Sequence, residues 1–561
     1  MFKPKLLSMI KTKNPSLNKK QIKDDIIAGI IVAIIALPLS IALGISSGVD
    51  PEKGLVTAVI AGFLISFFGG SRVQIGGPTG AFVIIVYGII QEYGIQGLTI
   101  STIMAGLIMI AFGLLKFGNL IRYIPYPITI GFTSGIAVVL FSTQIKDFLG
   151  LNISEVPADF FEKWHVYIEN ASSAGIPTIF VGVLSILIIV LWPRVNKTIP
   201  GSLVALIFGT LIVSIFKLDV LTIGSLFGEI SNKISFVEFS SIDLSVNTLK
   251  NLFPPAMTIA FLASIESLLS AMVADGMIGK RHRSNTELIA QGIANIGSAI
   301  FGGIPATGAI ARTAANVKNG GRTPIAGIVH SLVLFLIMIM FMPLASLIPM
   351  TTLSAILMVV SYNMSEWRSF KELLKSTKSD ASVLLLTFTL TVVFDLIIAI
   401  EIGMLVAMGL FIKRMADSTA IENTSRSYLD LFEENYHESM EDVSDYHKHM
   451  DSQILLYEIN GPLFFGAANT FVDVLDELNI ETKFLILQLK DVPIMDATAL
   501  NSLRRINHRC IEMNIDLFYC ELKPQPHRLL VNSGYIESVG EGKFFNTVQN
   551  AILTAGKMLS N

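Results

Sequence analysis

Between Asp25 and Asp50 the chain reads IIAGIIVAIIALPLSIALGISSGV, without one charged side chain. About 20 apolar residues of helix cross the hydrocarbon core of a bilayer, and in lipid only helices and closed barrels satisfy every backbone N–H and C=O. A run of this length and purity therefore has to be a membrane helix. The pattern recurs at 26–47, 54–68, 75–91, 97–115, 123–145, 175–192, 199–216, 250–274, 286–302, 304–318, 323–344, 346–362, 380–397 and 398–413, giving fourteen candidate spans. Composition agrees: 52% of residues are hydrophobic and 15% charged, far from the balance of a soluble protein. The chain reads as a polytopic α-helical membrane protein whose main partner is the lipid bilayer. With a net charge of -3 and the charges confined to short loops, the N-terminal arm and the last third, no nucleic-acid partner is expected.

Charge distribution gives the orientation. Residues 1–24 form a basic arm with seven lysines and no cleavable signal pattern. Lys and Arg collect in short cytoplasmic loops; with the arm inside, every alternate loop should be basic. Arg72, Lys116 with Arg122, Arg194 with Lys197, GKRHRS at 279–284, Lys318 with Arg322, EWRSFKELLKSTK, and Lys413 with Arg414 all fit. Both termini are expected in the cytoplasm and the protein in a bacterial inner membrane. The least regular spans are the second, the ninth, whose NTELIAQGIAN calls for burial against protein, and the short 380–413 pair.

After the membrane region, 25–414, composition changes. Residues 415–452 read as an acidic linker. From 453 to 561, strand-like ILLYEING, KFLILQLKDV and IDLFYCEL alternate with helical AANTFVDVLDELN and TALNSLRRINHRCIEMN, the pattern of a small cytosolic α/β domain. Cys510 and Cys520 lack zinc-ligand spacing and read as reduced thiols.

Two stretches are foreign to a transmembrane helix. VQIGGPTGAFV at 73–83 and FGGIPATGAIA at 301–311 each carry a Gly pair, an extended stub, a proline and then Thr-Gly-Ala. Proline favours the first turn of a helix, so each span should be extended for half the bilayer and helical for the rest. The topology runs the two in opposite directions, which makes their helix N-termini converge near the midplane. Unpaired N–H groups and the positive dipole ends make such a pair an anion site. Its expected lining is Thr79, Gly80 and Ala81 from one break and Thr307, Gly308 and Ala309 from the other. Arg312, four residues past Gly308, is expected to face this cavity, since a membrane-buried charge needs a polar surrounding or a partner. The nearest acid is Glu266, in AFLASIESLLSAMVADG; with Ser270 one turn on, it is the candidate for coupling to a cation.

DIIAGIIVAIIALPLSIALG, GGPTGAF, ESLLSAMVADG, the long block ELIAQGIANIGSAIFGGIPATGAIARTAANVKNGGRTPIAGIVHSL and FDLIIAIEIG resemble the SulP family of anion transporters over residues 20–414. LQLKDVPIMDATALNSL resembles the STAS domain that follows in that family. The resemblance implies a seven-plus-seven inverted repeat, about 25–217 and 250–414, with broken third and tenth helices. It also implies a core (spans 1–4 and 8–11) that moves against a gate (spans 5–7 and 12–14), and commonly a homodimer. It places the position of Arg312 beside the anion and ties that of Glu266 to H⁺ or Na⁺ coupling. Na⁺-coupled bicarbonate relatives carry Asp and Thr where this chain has Glu266 and Ser270, and tend to lack the arginine. That favours a proton-coupled carrier of a sulfate-like or carboxylic anion. Where soluble STAS relatives carry a phosphorylated serine after the signature aspartate, Asp496 is followed by Ala497. Folding, dimer contact or a cytosolic protein partner is the expected role instead.

Three classes stay open: a secondary carrier, an anion channel, and a membrane-anchored sensor or scaffold. An enzyme is not expected, for no nucleophile–base pair, metal cluster or phosphate loop occurs, and no cofactor beyond a coupling ion is implied. His330 is expected to hydrogen-bond a neighbouring helix, Asp275 to pair near the cytoplasmic face, and Asp395 and Glu401 to serve architecture.

Overall fold

The computed structural model describes residues 2–12, 17–119, 125–153, 156–157, 159–196, 199–228, 230–231, 234, 236–237, 245–394, 396–424, 453–464 and 482–560. The chain divides into two compact units, Met1–Met404 and Leu405–Asn561.

The first unit is helical apart from two short strands. Its first seven spans are Lys19–Ser46, Pro51–Phe68, the broken helix Gly80–Leu114 that supplies both the third and the fourth, Tyr126–Thr143, Ile176–Leu191 and Gly201–Phe216. Gly80–Leu114 is two helices joined at a kink at Gly94, where φ is 68° and ψ is -176°. A side chain strains at that φ, so glycine makes the corner. The second seven are Val246–Ile278, Ser284–Ile300, Ile310–Lys318, Ile325–Ala345, Met350–Met364, Lys378–Val393 and Leu396–Asp417. Among the described residues, seven helices are long and apolar enough to cross a membrane by themselves. Of the others, Ile310–Lys318 is short because the extended stub before it makes up part of the broken tenth span. This is the polytopic architecture with broken third and tenth helices.

The polar face of the ninth span is buried as its sequence required. Thr286, Glu287, Gln291, Asn295 and Ser298 are all inaccessible, and Glu287 accepts from the Gly70 and Ser71 amides at 2.7 and 2.9 Å and from Gln291 at 2.9 Å. This span crosses the fourth at backbone contact: a carbon added at Gly106 would lie 2.6 Å from the Gly292 carbonyl oxygen, and one at Gly292 would lie 2.4 Å from that of Gly106. Small residues give membrane helices such close approach. Asp275 pairs with His282 at 2.7 Å, as expected.

In the second unit, strands β3 (Ala420–Asn423), β4 (Ile454–Asn460), β5 (Phe484–Asp491), β6 (Asp516–Cys520) and β7 (Phe544–Phe545) form one sheet in that order. β3 joins antiparallel and the rest are parallel. The inner strands are covered on both faces, which explains the uninterrupted apolar run FLILQL in β5. Ala497–Glu512 starts at Asp496, whose carboxylate accepts from the Ala499 amide at 2.8 Å. The signature aspartate therefore acts here as a helix cap. Cys510 and Cys520 are buried free thiols, each pushed up to about 12 by that burial. The linker residues 425–452 and the expected helix AANTFVDVLDELN lie outside the described residues, as does Asp395.

Candidate functional site

The two breaks meet. The stub before the third span contains β1 (Gly76–Gly77) and the stub before the tenth contains β2 (Thr307–Gly308), and the two pair antiparallel with Gly76 opposite Gly308 and Gly77 opposite Thr307. The helices Gly80–Leu114 and Ile310–Lys318 start immediately beyond, at Thr79 and Ala309, and neither N-terminus has a side-chain cap. The first-turn N–H groups, which have no intrahelical acceptors, thus converge from opposite directions on one place.

Polar residues scattered through apolar spans hold the stubs, because extended backbone at this depth must find acceptors and donors inside the protein. The Asn295 amide clamps Ala306 from both sides, donating to its carbonyl and accepting from its N–H, each at 2.9 Å. Thr57 accepts from the Ile304 amide at 2.8 Å and Ser298 donates to the Ile304 carbonyl at 2.7 Å. The first stub is served by the opposite half-helix: Thr313 accepts from the Ile75 amide at 3.0 Å and Asn316 donates to the Val73 carbonyl at 2.8 Å. Ser267 on the eighth span accepts from the Gly308 amide at 3.1 Å, and its carbonyl accepts from Gln74 at 3.0 Å. Sequence reasoning missed these positions. Their one signal is a polar residue in an otherwise lipid-compatible helix, as at Asn295 or at Ser267 beside Glu266.

A cavity of 380 Å³ lies against the two N-termini. Thr79, Gly80, Ala81, Ala309, Arg312 and Glu266 all line it, together with Phe132, Ile136, Asn363, Met364 and Glu366 from the fifth span and the end of the twelfth. The cavity therefore lies between the two groups of spans that the family resemblance assigns to core and gate. Thr79 donates to a Glu266 carboxylate oxygen at 2.9 Å. Arg312, buried, donates through Nη2 to the Pro78 carbonyl. Arg312 and Glu266 thus grip adjacent residues of one turn, and among the described residues no carboxylate lies within ion-pair distance of the guanidinium. Gly77 is required twice over. Its φ is +151°, and a carbon added there would fall 2.5 Å from Arg312 Nη1.

Three expected residues do not line the cavity. Thr307 turns into the eighth span, its hydroxyl 2.6 Å from Ser267 Oγ and donating to the Ala263 carbonyl at 3.0 Å. Gly308 has its N–H taken by Ser267, and a carbon added there would strike Gln74 Nε2. Ser270 donates to Thr313 at 3.2 Å and is fully buried. All three are braces of the β1–β2 pair. The physical reason is the neighbour each one meets: Ser267 and the Ala263 carbonyl on the eighth span draw in the Thr307 hydroxyl, Gln74 covers Gly308, and Thr313 draws in Ser270. Among the described residues no cluster of His, Cys, Asp or Glu could hold a metal ion. His330, expected to be hydrogen-bonded, is fully buried with no partner for either ring nitrogen among the described residues. Glu401 is exposed and borders a separate apolar crevice with Phe132 and Phe261.

Family comparison matches residues 22–387 to the sulfate permease family and residues 447–551 to the STAS domain. YvdB of Bacillus subtilis (strain 168) is 41% identical over 531 residues, spanning 94% of this chain and 97% of its own. Among solved structures, the transmembrane domain of a cyanobacterium bicarbonate transporter BicA matches at 30% identity and a TM-score of 0.62, covering 70% of this chain and 99% of that one. The overall structure of SLC26A9 matches at 17% identity and a TM-score of 0.83, covering 98% and 92%, which shows the common fold.

Proposed function

Because the chain belongs to the sulfate permease family, we propose that it is a secondary carrier of a small oxyanion, of the sulfate, bicarbonate or dicarboxylate class, driven by protons. The observation that carries this reading is the shared cavity: two uncapped half-helix N-termini, the Arg312 guanidinium and the Glu266 carboxylate border one 380 Å³ space. The N–H groups and dipole ends supply fixed partial positive charge and Arg312 a full one, so a mono- or divalent anion finds its counter-charge without a metal-like cluster.

Glu266 is the acid that couples. A carboxylate beside an anion site repels the substrate when ionised and tolerates it when protonated, so proton and anion enter together. Its bond from Thr79, itself the residue before the first half-helix, links the protonation state to the turn that holds the anion. The burial of Ser270 against Thr313 supports protons over Na⁺, since the second oxygen a Na⁺ site would draw from this helix face is turned away from the cavity.

The lining supports alternating access. Core residues bind, while Phe132, Ile136 and Met364 of the gate form the opposing wall. The exposed Asn363 and Glu366 border the cavity where the basic loop EWRSFKELLKSTK begins. If positive charge marks the cytoplasmic side, the cavity opens inward and both termini are cytoplasmic. The membrane is then a bacterial inner membrane, and the STAS domain serves homodimer contact or a cytosolic protein partner.

Uptake by proteoliposomes tests this. The chain is reconstituted and offered labelled sulfate, bicarbonate, fumarate and chloride under imposed H⁺ or Na⁺ gradients. Saturable uptake of one anion that rises with an inward proton gradient is the expected result. Conductance that does not saturate would make it a channel, strict dependence on Na⁺ would reassign the coupling ion, and no flux of any anion would leave the sensor reading.

A further inference from the structure

The eleventh span, Ile325–Ala345, packs on the second, Pro51–Phe68, along a seam of small residues. A carbon added at Gly62 would lie 2.8 Å from Ser331 Oγ, 3.2 Å from the Gly76 carbonyl oxygen and 3.9 Å from His330 Cδ2, and one added at Gly327 would lie 2.0 Å from Ser66 Oγ. Gly62 and Ser66 are one turn apart on the second span, as Gly327 and Ser331 are on the eleventh, so the two hydroxyls and the imidazole line one seam alongside β1. The same seam reaches the anion site. Ala58, one turn before Gly62, flanks Gly77 on the side where Arg312 Nη1 lies.

Ser66, His330, Ser331 and Arg312 are 5%, 0%, 2% and 3% exposed. Ser66 Oγ, both ring nitrogens of His330, Ser331 Oγ and Arg312 Nη1 have no hydrogen-bond partner among the described residues. Most buried polar atoms in folded proteins are paired; here four on one helix pair are not, and Arg312 Nη1 of the tenth span, across Gly77 from Ala58, is a fifth. Their chemistry is complementary: the guanidinium only donates, a neutral imidazole donates at one nitrogen and accepts at the other, and hydroxyls do both. Such a line is what a short file of internal water needs, each molecule taking two to four polar neighbours.

We propose that the seam between the second and eleventh spans is a built site for ordered water, and that through it His330 holds Arg312 in place, making His330 a positioning residue for anion binding. Pro78 fixes one guanidinium nitrogen and the water file fixes the other, so the cation meets the anion already oriented. This rests on the reading that Arg312 binds the anion.

The test compares uptake kinetics of the full chain in proteoliposomes for His330→Met, His330→Gln and Arg312→Ala, using the anion that the uptake panel selects. Glutamine keeps one donor and one acceptor, whereas methionine fills the volume without either. His330→Met should raise KM about tenfold, equivalent to about 1.4 kcal/mol, with Vmax per folded protein little changed, and His330→Gln should stay within about twofold of the parent. An unchanged KM in His330→Met, or equal rises in both variants, overturns the proposal. If Arg312→Ala itself leaves KM unchanged, the site reading fails instead, which separates the two. Should His330→Met fail to fold, Ser331→Val takes its place with the same expected rise, and an unchanged KM there overturns the proposal equally.

Discussion

Replacing Arg312 with alanine removes the one cationic side chain among the described residues that line the cavity. A hydrogen bond to a charged group contributes about 1.5–3 kcal/mol, so anion affinity should fall roughly 10- to 150-fold. The fold should survive. Among the described residues Arg312 makes no ion pair whose loss would strand a buried carboxylate, the Glu266 bond from Thr79 persists, and the Pro78 carbonyl loses a donor, at about 1 kcal/mol. Arg312→Lys keeps the charge but has a single nitrogen to divide between Pro78 and the anion, and should fall between parent and alanine. Two assays report together: KM for uptake, and thermal stabilisation by added anion. At an anion concentration 100 times the parent Kd, binding stabilises the parent by about 2.7 kcal/mol; a 100-fold weaker variant keeps only about 0.4 kcal/mol. A variant with the parent's KM and the parent's thermal gain would refute the assignment of Arg312.

Three further outcomes follow from the same geometry. Glu266→Gln mimics the protonated acid and should keep anion exchange while losing accumulation: an inward gradient of one pH unit, worth about 1.36 kcal/mol per proton, should concentrate substrate about tenfold in the parent and not in the variant, and a variant that still accumulates would remove Glu266 from coupling. Asp25 accepts from the Arg322 and Thr323 amides at 2.7 and 3.2 Å and from the Thr323 hydroxyl at 2.6 Å; Asp25→Ala should cost about 3 kcal/mol by stranding buried donors, read as a lower temperature for loss of the monodisperse gel-filtration peak. Cys510 and Cys520, both pushed up to about 12, should resist maleimide at pH 8 in the folded chain, because the reactive thiolate forms only as pH nears that value, and should label on unfolding; rapid labelling of the native protein would contradict their burial.

Much of this was legible in the sequence because lipid leaves few options. The apolar runs could only be helices, and a proline followed closely by Thr-Gly-Ala, in each of two antiparallel halves, could only start two facing helices. The polar ninth span could only be buried. Arg312 and Glu266 followed from the rarity of charge in such segments. What could not be read was rotation. Thr79 and Thr307 occupy like positions in like motifs and both bond the eighth span, yet Thr79 does so through Glu266 at the cavity while Thr307 is held by Ser267 and the Ala263 carbonyl away from it. Ser270 looked equivalent to Glu266 by helical spacing, but Thr313 of the opposite half-helix draws it away. For His330 the sequence suggested a helix–helix bond, and only the packing of Gly62 and Gly327 reveals a polar seam instead.

The most direct test of the central claim is a structure of the chain with a heavy oxyanion such as selenate, or bromide if uptake selects a monovalent substrate, located by its anomalous signal. The anion should lie within hydrogen-bond distance of the first-turn amides after Thr79 and Ala309 and of Arg312. Signal elsewhere, with those two N-termini left facing water or each other, would contradict the account.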